Sequence, residues 1–147
     1  KNEELLKKGL KLLEKITSCK PVETKTQKRV PGWGLRPGLA IGCKVTVRND
    51  CKKLLLRLLA AKENTLKASN FDVQGNFSFG IPEYIDIAGL DYDPELKMMG
   101  LEAAVTLERP GFKVKKRKIK PSGVGKNHRI SQKEAIDFVR GLGVEVN

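Results

Sequence analysis

Acid–base, nucleophilic and metal chemistry need histidine, cysteine or paired carboxylates at particular spacings. In this chain such residues are few and scattered. His128 is the only histidine, so no histidine pair can hold a metal. Beside Lys126 and Arg129 in a basic loop, it reads as a stacking or hydrogen-bonding group, or simply as an exposed side chain. Cys19, Cys43 and Cys51 are odd in number and form no CxxC pair, which indicates neither a disulfide framework nor a zinc site. They read as reduced, partly buried small apolar residues of an intracellular protein. Asp86, Asp91, Asp93 and Glu95 match no calcium-loop spacing, and suit an acidic protein contact or plain solubility better. Gly32-Trp33-Gly34-Leu35-Arg36-Pro37 has proline at the third glycine of a dinucleotide fingerprint and precedes a strand, not a helix. Gly125-Lys126 has Asn127 where a phosphate loop needs Ser or Thr, and Lys120 where it needs its first glycine. No cofactor or metal is implied, and nothing reads as an enzyme.

What the residue types do favour is contact with a polyanion. The formal net charge is +12 over 147 residues, and self-repulsion of that size costs stability unless a partner relieves it. Residues 15–67 carry 13 basic and 3 acidic side chains, residues 68–108 carry 1 and 8, and residues 109–129 carry 9 and none. A single Lys-rich segment is ordinarily just solvated surface. Two basic blocks around an acidic one are harder to dismiss. No apolar run reaches the length of a membrane span, and no helix pairs a basic face with an apolar one as a membrane anchor would, so RNA or DNA is the better partner class.

The elements that would present these charges follow from periodicity. Leu5, Leu6, Leu10, Leu12, Leu13 and Ile16 fall on one side of a helix over residues 3–17. Pro21 to Gln27 alternates as a strand, with Glu23, Lys25 and Gln27 opposite Val22, Thr24 and Thr26. A Gly/Pro-punctuated loop, Val30 to Gly38, carries the only tryptophan. A strand over Ile41 to Arg48 follows it, with Cys43, Val45 and Val47 on one face and Lys44, Thr46 and Arg48 on the other. Asn49 or Asp50 caps a helix to about Ala61, turned inward by Leu54, Leu55, Leu58 and Leu59. Asn76 to Ile81 and Leu101 to Glu108 alternate as strands, and residues 82–100 read as an acidic connection. Residues 113–129 read as an extended basic loop. Ser131 with Glu134 forms a capping box for a short helix, and Val144 to Val146 a last strand.

Together these predict one α+β domain over residues 1–147: an antiparallel or mixed sheet with helices packed on one face and the other face open. Lys25, Lys44, Thr46, Arg48, Asn76 and Ser78 take outward positions on three of its strands, where they could bind phosphate and sugar oxygens or form an ordinary wet sheet face.

Longer stretches carry a family resemblance. Lys20-Pro21, Thr24-Lys25, Leu35-Arg36-Pro37-Gly38 and above all Ile41-Gly42-Cys43-Lys44-Val45-Thr46-Val47-Arg48 resemble the universal ribosomal protein L5 family, which holds 5S rRNA. Further similarities run through Asn70 to Ile81, Ile85-Asp86, Asp91-Tyr92-Asp93-Pro94 and Gly100-Leu101-Glu102. Leu107 to Phe112 and Lys126 to Ser131 look like the archaeal and eukaryotic branch.

The resemblance implies a structural, non-enzymatic protein of the central protuberance of the large ribosomal subunit, located in the cytoplasm. Its partners would be 5S rRNA, large-subunit rRNA, P-site tRNA and other ribosomal proteins, including a small-subunit bridge partner, with no membrane. For 5S rRNA it implies Lys20, Thr24, Lys25, Lys28, Arg29, Lys44, Thr46, Arg48 and Asn76. For tRNA it implies Pro31, Trp33, Leu35 and Arg36, on the loop 30–38. For further rRNA it implies the basic segment 109–129, with Lys113, Lys115, Lys116, Arg117, Lys118, Lys120, Lys126, His128 and Arg129. Family members begin with a further strand ending in an Asn-Ile-Gly-Val-Gly-like turn; it is absent here, so the chain reads as a fragment of a longer product. The alternative is an RNA-processing enzyme using the same basic face, against which the missing acid–base constellation argues.

Overall fold

The computed structural model describes residues 3–147. They divide into two compact units, one of residues 3–55 and Glu83–Met99, the other of Leu56–Pro82 and Gly100–Asn147.

The first unit opens with α1 (Glu3–Thr17), whose glutamates in the first turn and Lys15 in the last complement the helix dipole. Its buried residues are Gly9, Leu12 and Ile16, while Leu5, expected inside, is 47% exposed. Gly9 is the close-approach point. A Cβ there would lie 2.8 Å from Cys43 Sγ, so only glycine lets the helix settle this tightly on the strand below. That strand, β2 (Ala40–Lys44), pairs antiparallel with β1 (Val22–Lys25). Val22 lies opposite Lys44, Glu23 opposite Cys43 and Thr24 opposite Gly42, and a register shift then brings Lys25 opposite Ala40.

The strand expected to run to Arg48 loses its partner at Lys44. β1 begins only at Val22, directly after Pro21, so the ladder offers no partner residue to Val45 through Arg48. The alternation outlasts the pairing: Val45 and Val47 are half-buried, and Lys44, Thr46 and Arg48 exposed.

The acidic stretch 82–100 is more than a connection. It supplies Tyr84, Ile87 and Leu96, each at most 1% exposed. Tyr84 donates its backbone N–H to Met99 O (3.2 Å), and its hydroxyl accepts from Asp93 N–H (2.9 Å). Lys11 pairs with Glu95 at 3.5 Å and Lys15 with Asp93. The Lys15 ammonium, with help from the Glu95 backbone N–H, holds the Asp93 carboxyl below its ordinary range.

The second unit begins within α2 (Cys51–Ala61), whose buried Leu58 and Leu59 belong to it. β3 (Thr65–Leu66), not foreseen because two residues show no periodicity, pairs parallel with β6 (Glu145–Val146). β4 (Phe77–Ile81) pairs antiparallel with β5 (Leu101–Val105), Phe77 opposite Val105 and Ile81 opposite Leu101. Phe77, Phe79 and Ile81 are buried as their alternation requires, and the Phe71 and Phe77 rings lie 5.1 Å apart.

The basic segment contains a short helical turn, α3 (Lys113–Lys116), and a 3-10 turn at Lys126–His128, where an extended loop was expected. α4 (Gln132–Arg140) starts on the predicted capping box, with Glu134 N–H donating to Ser131 Oγ and Ser131 N–H to Glu134 Oε2. The class is α+β as expected, with its pairing distributed over three two-stranded ladders. Strands of two to five residues separated by Gly and Pro breakers favour local pairing over one wide sheet.

The Gly9 contact is testable. Gly9→Ala should lower unfolding free energy in urea by about 1–3 kcal/mol through overpacking against Cys43. In a Cys43→Ala background the same change should be neutral or stabilising, since alanine is the better helix former by about 1 kcal/mol. Equal losses in both backgrounds would contradict the contact.

Candidate nucleic-acid interface

α1 packs against the β1–β2 ladder on the side that carries Cys43. By register, the opposite side presents Val22, Thr24, Gly42 and Lys44. Val22 is 59% exposed, so this side is open. Lys20, Lys25, Lys28, Arg29, Lys44, Thr46 and Arg48 are all exposed, and Thr24 is half-buried. Among the described residues the four ion pairs take Lys11, Lys15, Arg109 and Lys116, so every candidate cation of this unit is left unpaired.

Between the two strands, residues 26–39 fold into a braced finger. At its base Thr26 N–H donates to Leu39 O and Gly38 N–H to Thr26 O, both at 2.9 Å. The Thr26 hydroxyl, with one proton, lies 2.6 Å from Arg36 O and 3.1 Å from Leu39 O. Nearer the tip, Val30 and Leu35 exchange two backbone bonds of 3.1 Å around the Pro31–Trp33 turn, and Gly34 supplies the left-handed φ of +63° that closes it. Trp33 is 77% exposed, with Pro31 and Arg36 exposed beside it and Leu35 half-buried. The closed hairpin holds the indole out in water.

In the second unit the basic segment is pinned to its own fold. Lys116 pairs with Glu108, and Arg109 with Glu134 at 2.9 Å. Arg117 Nε donates to Lys120 O (2.6 Å) and Arg129 Nε to Val124 O (3.2 Å). His128 Nε2 lies 2.9 Å from Pro110 O; a carbonyl only accepts, so Nε2 carries the proton. Lys113, Lys118, Lys120 and Lys126 are exposed and take no part in these ion pairs. Asn76 is also in this unit. It precedes β4 and donates its side-chain amide to Asp72 Oδ2 (2.9 Å), while Asp72 Oδ1 accepts from Gln74 and Asn76 N–H at 2.8 Å. Asn76 therefore does not extend the Lys44 ladder, and neither does Ser78 in β4.

Residues 40–138 match the ribosomal L5P family C-terminus. The large ribosomal subunit protein uL5 of Nanoarchaeum equitans is 51% identical over 146 residues, covering 97% of this chain and 86% of the relative. Its counterpart in Nitrosopumilus maritimus is 42% identical over 99% of this chain and 86% of the relative. That of Sulfurisphaera tokodaii is 42% identical over 93% and 78%. The chain belongs to the ribosomal L5 family. It is archaeal in type, as its 107–112 and 126–131 stretches suggested. Members of this family are structural constituents of the ribosome and not enzymes, which removes the RNA-processing alternative and places the protein's work on the cytoplasmic ribosome.

The structure thus gathers Lys20 to Arg48 into one unit and Asn76 with Lys113 to Arg129 into the other. Residue-type reasoning passed over Gln74, Thr106 and Phe112, which share a groove with Asn76, Lys115 and Arg129. Phe112 between the 107–112 turn and the basic run was the one signal that could have found it.

The finger's brace gives a prediction. Thr26→Val removes a hydroxyl bond worth about 1 kcal/mol and should speed amide exchange at Gly34, Leu35 and Gly38 while leaving Ala135, whose N–H donates to Ser131 O at the start of α4, protected. Unchanged exchange in the finger would show that its backbone bonds alone close it.

Proposed function

We propose that this ribosomal protein binds 5S rRNA through the open side of the β1–β2 ladder and the adjoining stretch Lys20 to Arg29, and so anchors that RNA in the central protuberance of the large subunit. The finger, residues 30–38, contacts P-site tRNA. The segment 109–129 contacts further rRNA, and other ribosomal proteins, one of them on the small subunit, complete the neighbourhood.

The observation that carries the reading is the set of unpaired cations on one unit. The acidic stretch 82–100 is near enough to neutralise lysines, yet its ion pairs go to Lys11 and Lys15 on α1. Lys20, Lys25, Lys28, Arg29, Lys44 and Arg48 are left to a polyanion, whose phosphates exchange condensed counterions for them. The finger differs in kind. One exposed indole and one arginine on a braced turn suit stacking and a single phosphate more than a run of backbone contacts.

Replacing Lys44 and Arg48 together by alanine should weaken 5S rRNA binding and flatten its log–log salt dependence by about one to two units. An unchanged slope contradicts the strand assignment. Replacing Trp33 and Arg36 together should weaken tRNA contact and leave 5S rRNA affinity intact; a collapse of 5S binding would instead put the finger in the rRNA site.

A further inference from the structure

The second unit holds a partly enclosed groove of about 240 Å³. One wall is the tip after Asp72 together with the end of the β5 strand, bringing Gln74, Asn76 and Thr106. The other is the basic segment, bringing Phe112, Lys115 and Arg129. The walls are held close. Gly75 has φ +76°, and a Cβ on it would fall 2.7 Å from Ile130 Cγ2, so glycine alone lets the tip press onto the residue next to Arg129.

The hydrogen-bonding capacity inside is largely unspent. The Gln74 side chain and the Thr106 hydroxyl have no partner among the described residues. Asn76 spends one amide N–H on Asp72, which leaves its carbonyl oxygen as an acceptor. Arg129 uses Nε on Val124 O, leaving both terminal nitrogens. The nearby carboxylates are already occupied, Glu108 by Lys116 and Asp72 by three N–H donors. Phe112 is half-buried, and the Lys115 ammonium lies 5.7 Å from its ring centroid.

Resting on the rRNA-binding reading above, we propose that this groove is a pocket for one unstacked nucleotide. The base lies against Phe112 with its edge on the Gln74 and Asn76 carboxamides, and the flanking phosphate lies on Arg129 and Lys115. Duplex phosphates need only surface cations, and an acidic peptide needs only donors. A half-buried aromatic ring beside groups that both donate and accept is what a splayed-out base uses.

The test uses the full chain with three probes: a single-stranded RNA octamer containing 4-thiouridine, a duplex of equal length, and intact 5S rRNA, with octa-aspartate as competitor. Phe112→Leu should weaken octamer binding about tenfold and Gln74→Ala about three- to tenfold, with duplex binding changed less than twofold. Photocrosslinking should fall on the peptide containing Phe112. Circular dichroism confirms folding; if Phe112→Leu unfolds the chain, Gln74→Ala, in an exposed turn, decides alone. Octamer binding unmoved by the folded variants, or displaced by octa-aspartate as readily as by unlabelled octamer, overturns the pocket and, with 5S rRNA still bound, leaves the rRNA reading standing. Failure of the unaltered chain to bind any of the RNAs overturns both.

Discussion

Repulsion among cations that find no partner inside the fold is the constraint on which this structure turns. The chain carries a formal charge of +12, and the four ion pairs among its described residues are largely solvent-exposed, where such pairs contribute little. The fold does not dissipate this charge. It concentrates acidic residues where they brace α1 and leaves the strand, the finger and much of the basic segment uncompensated. A molecule arranged this way keeps an electrostatic cost in isolation that a polyanion removes on binding.

The scaffold can bear that cost because its apolar packing lies away from the charged groups. In the first unit, Leu12 and Ile16 of α1 are buried, as are Tyr84, Ile87 and Leu96 from the acidic stretch. In the second, Phe71, Phe77 and Phe79 with Ile81 form a line of buried side chains along β4 and the turn before it. No charged side chain is buried among the described residues. Close approach at Gly9 and Gly75 sets the spacing of the pieces that present functional groups. Both glycines serve geometry more than flexibility.

Elements with a clean period were legible in the sequence. α1, α2, β4 and α4 with its capping box fall where apolar spacing and cap chemistry place them. The alternation at Cys43 to Arg48 announces exposure but not pairing, because pairing depends on a partner strand that begins only at Val22. Tyr84, Ile87 and Leu96 were hidden because turn-borne core residues follow no period. Asn76 shares an outward face with Lys44 only in a single continuous sheet; with three separate ladders it lines a groove with the basic segment instead. Charge counting pointed to nucleic acid; the identity of the family came from longer stretches such as Ile41 to Arg48.

The central claim is that unpaired surface cations, and not apolar or chemical recognition, supply most of the affinity for rRNA. Its most direct measurement is the salt dependence of 5S rRNA binding by the unaltered chain. With about six cations each displacing counterions, the log of the association constant should fall against log salt with a slope of roughly −4 to −5. A slope shallower than about −1 would mean that these side chains do not meet phosphate, and would contradict the account.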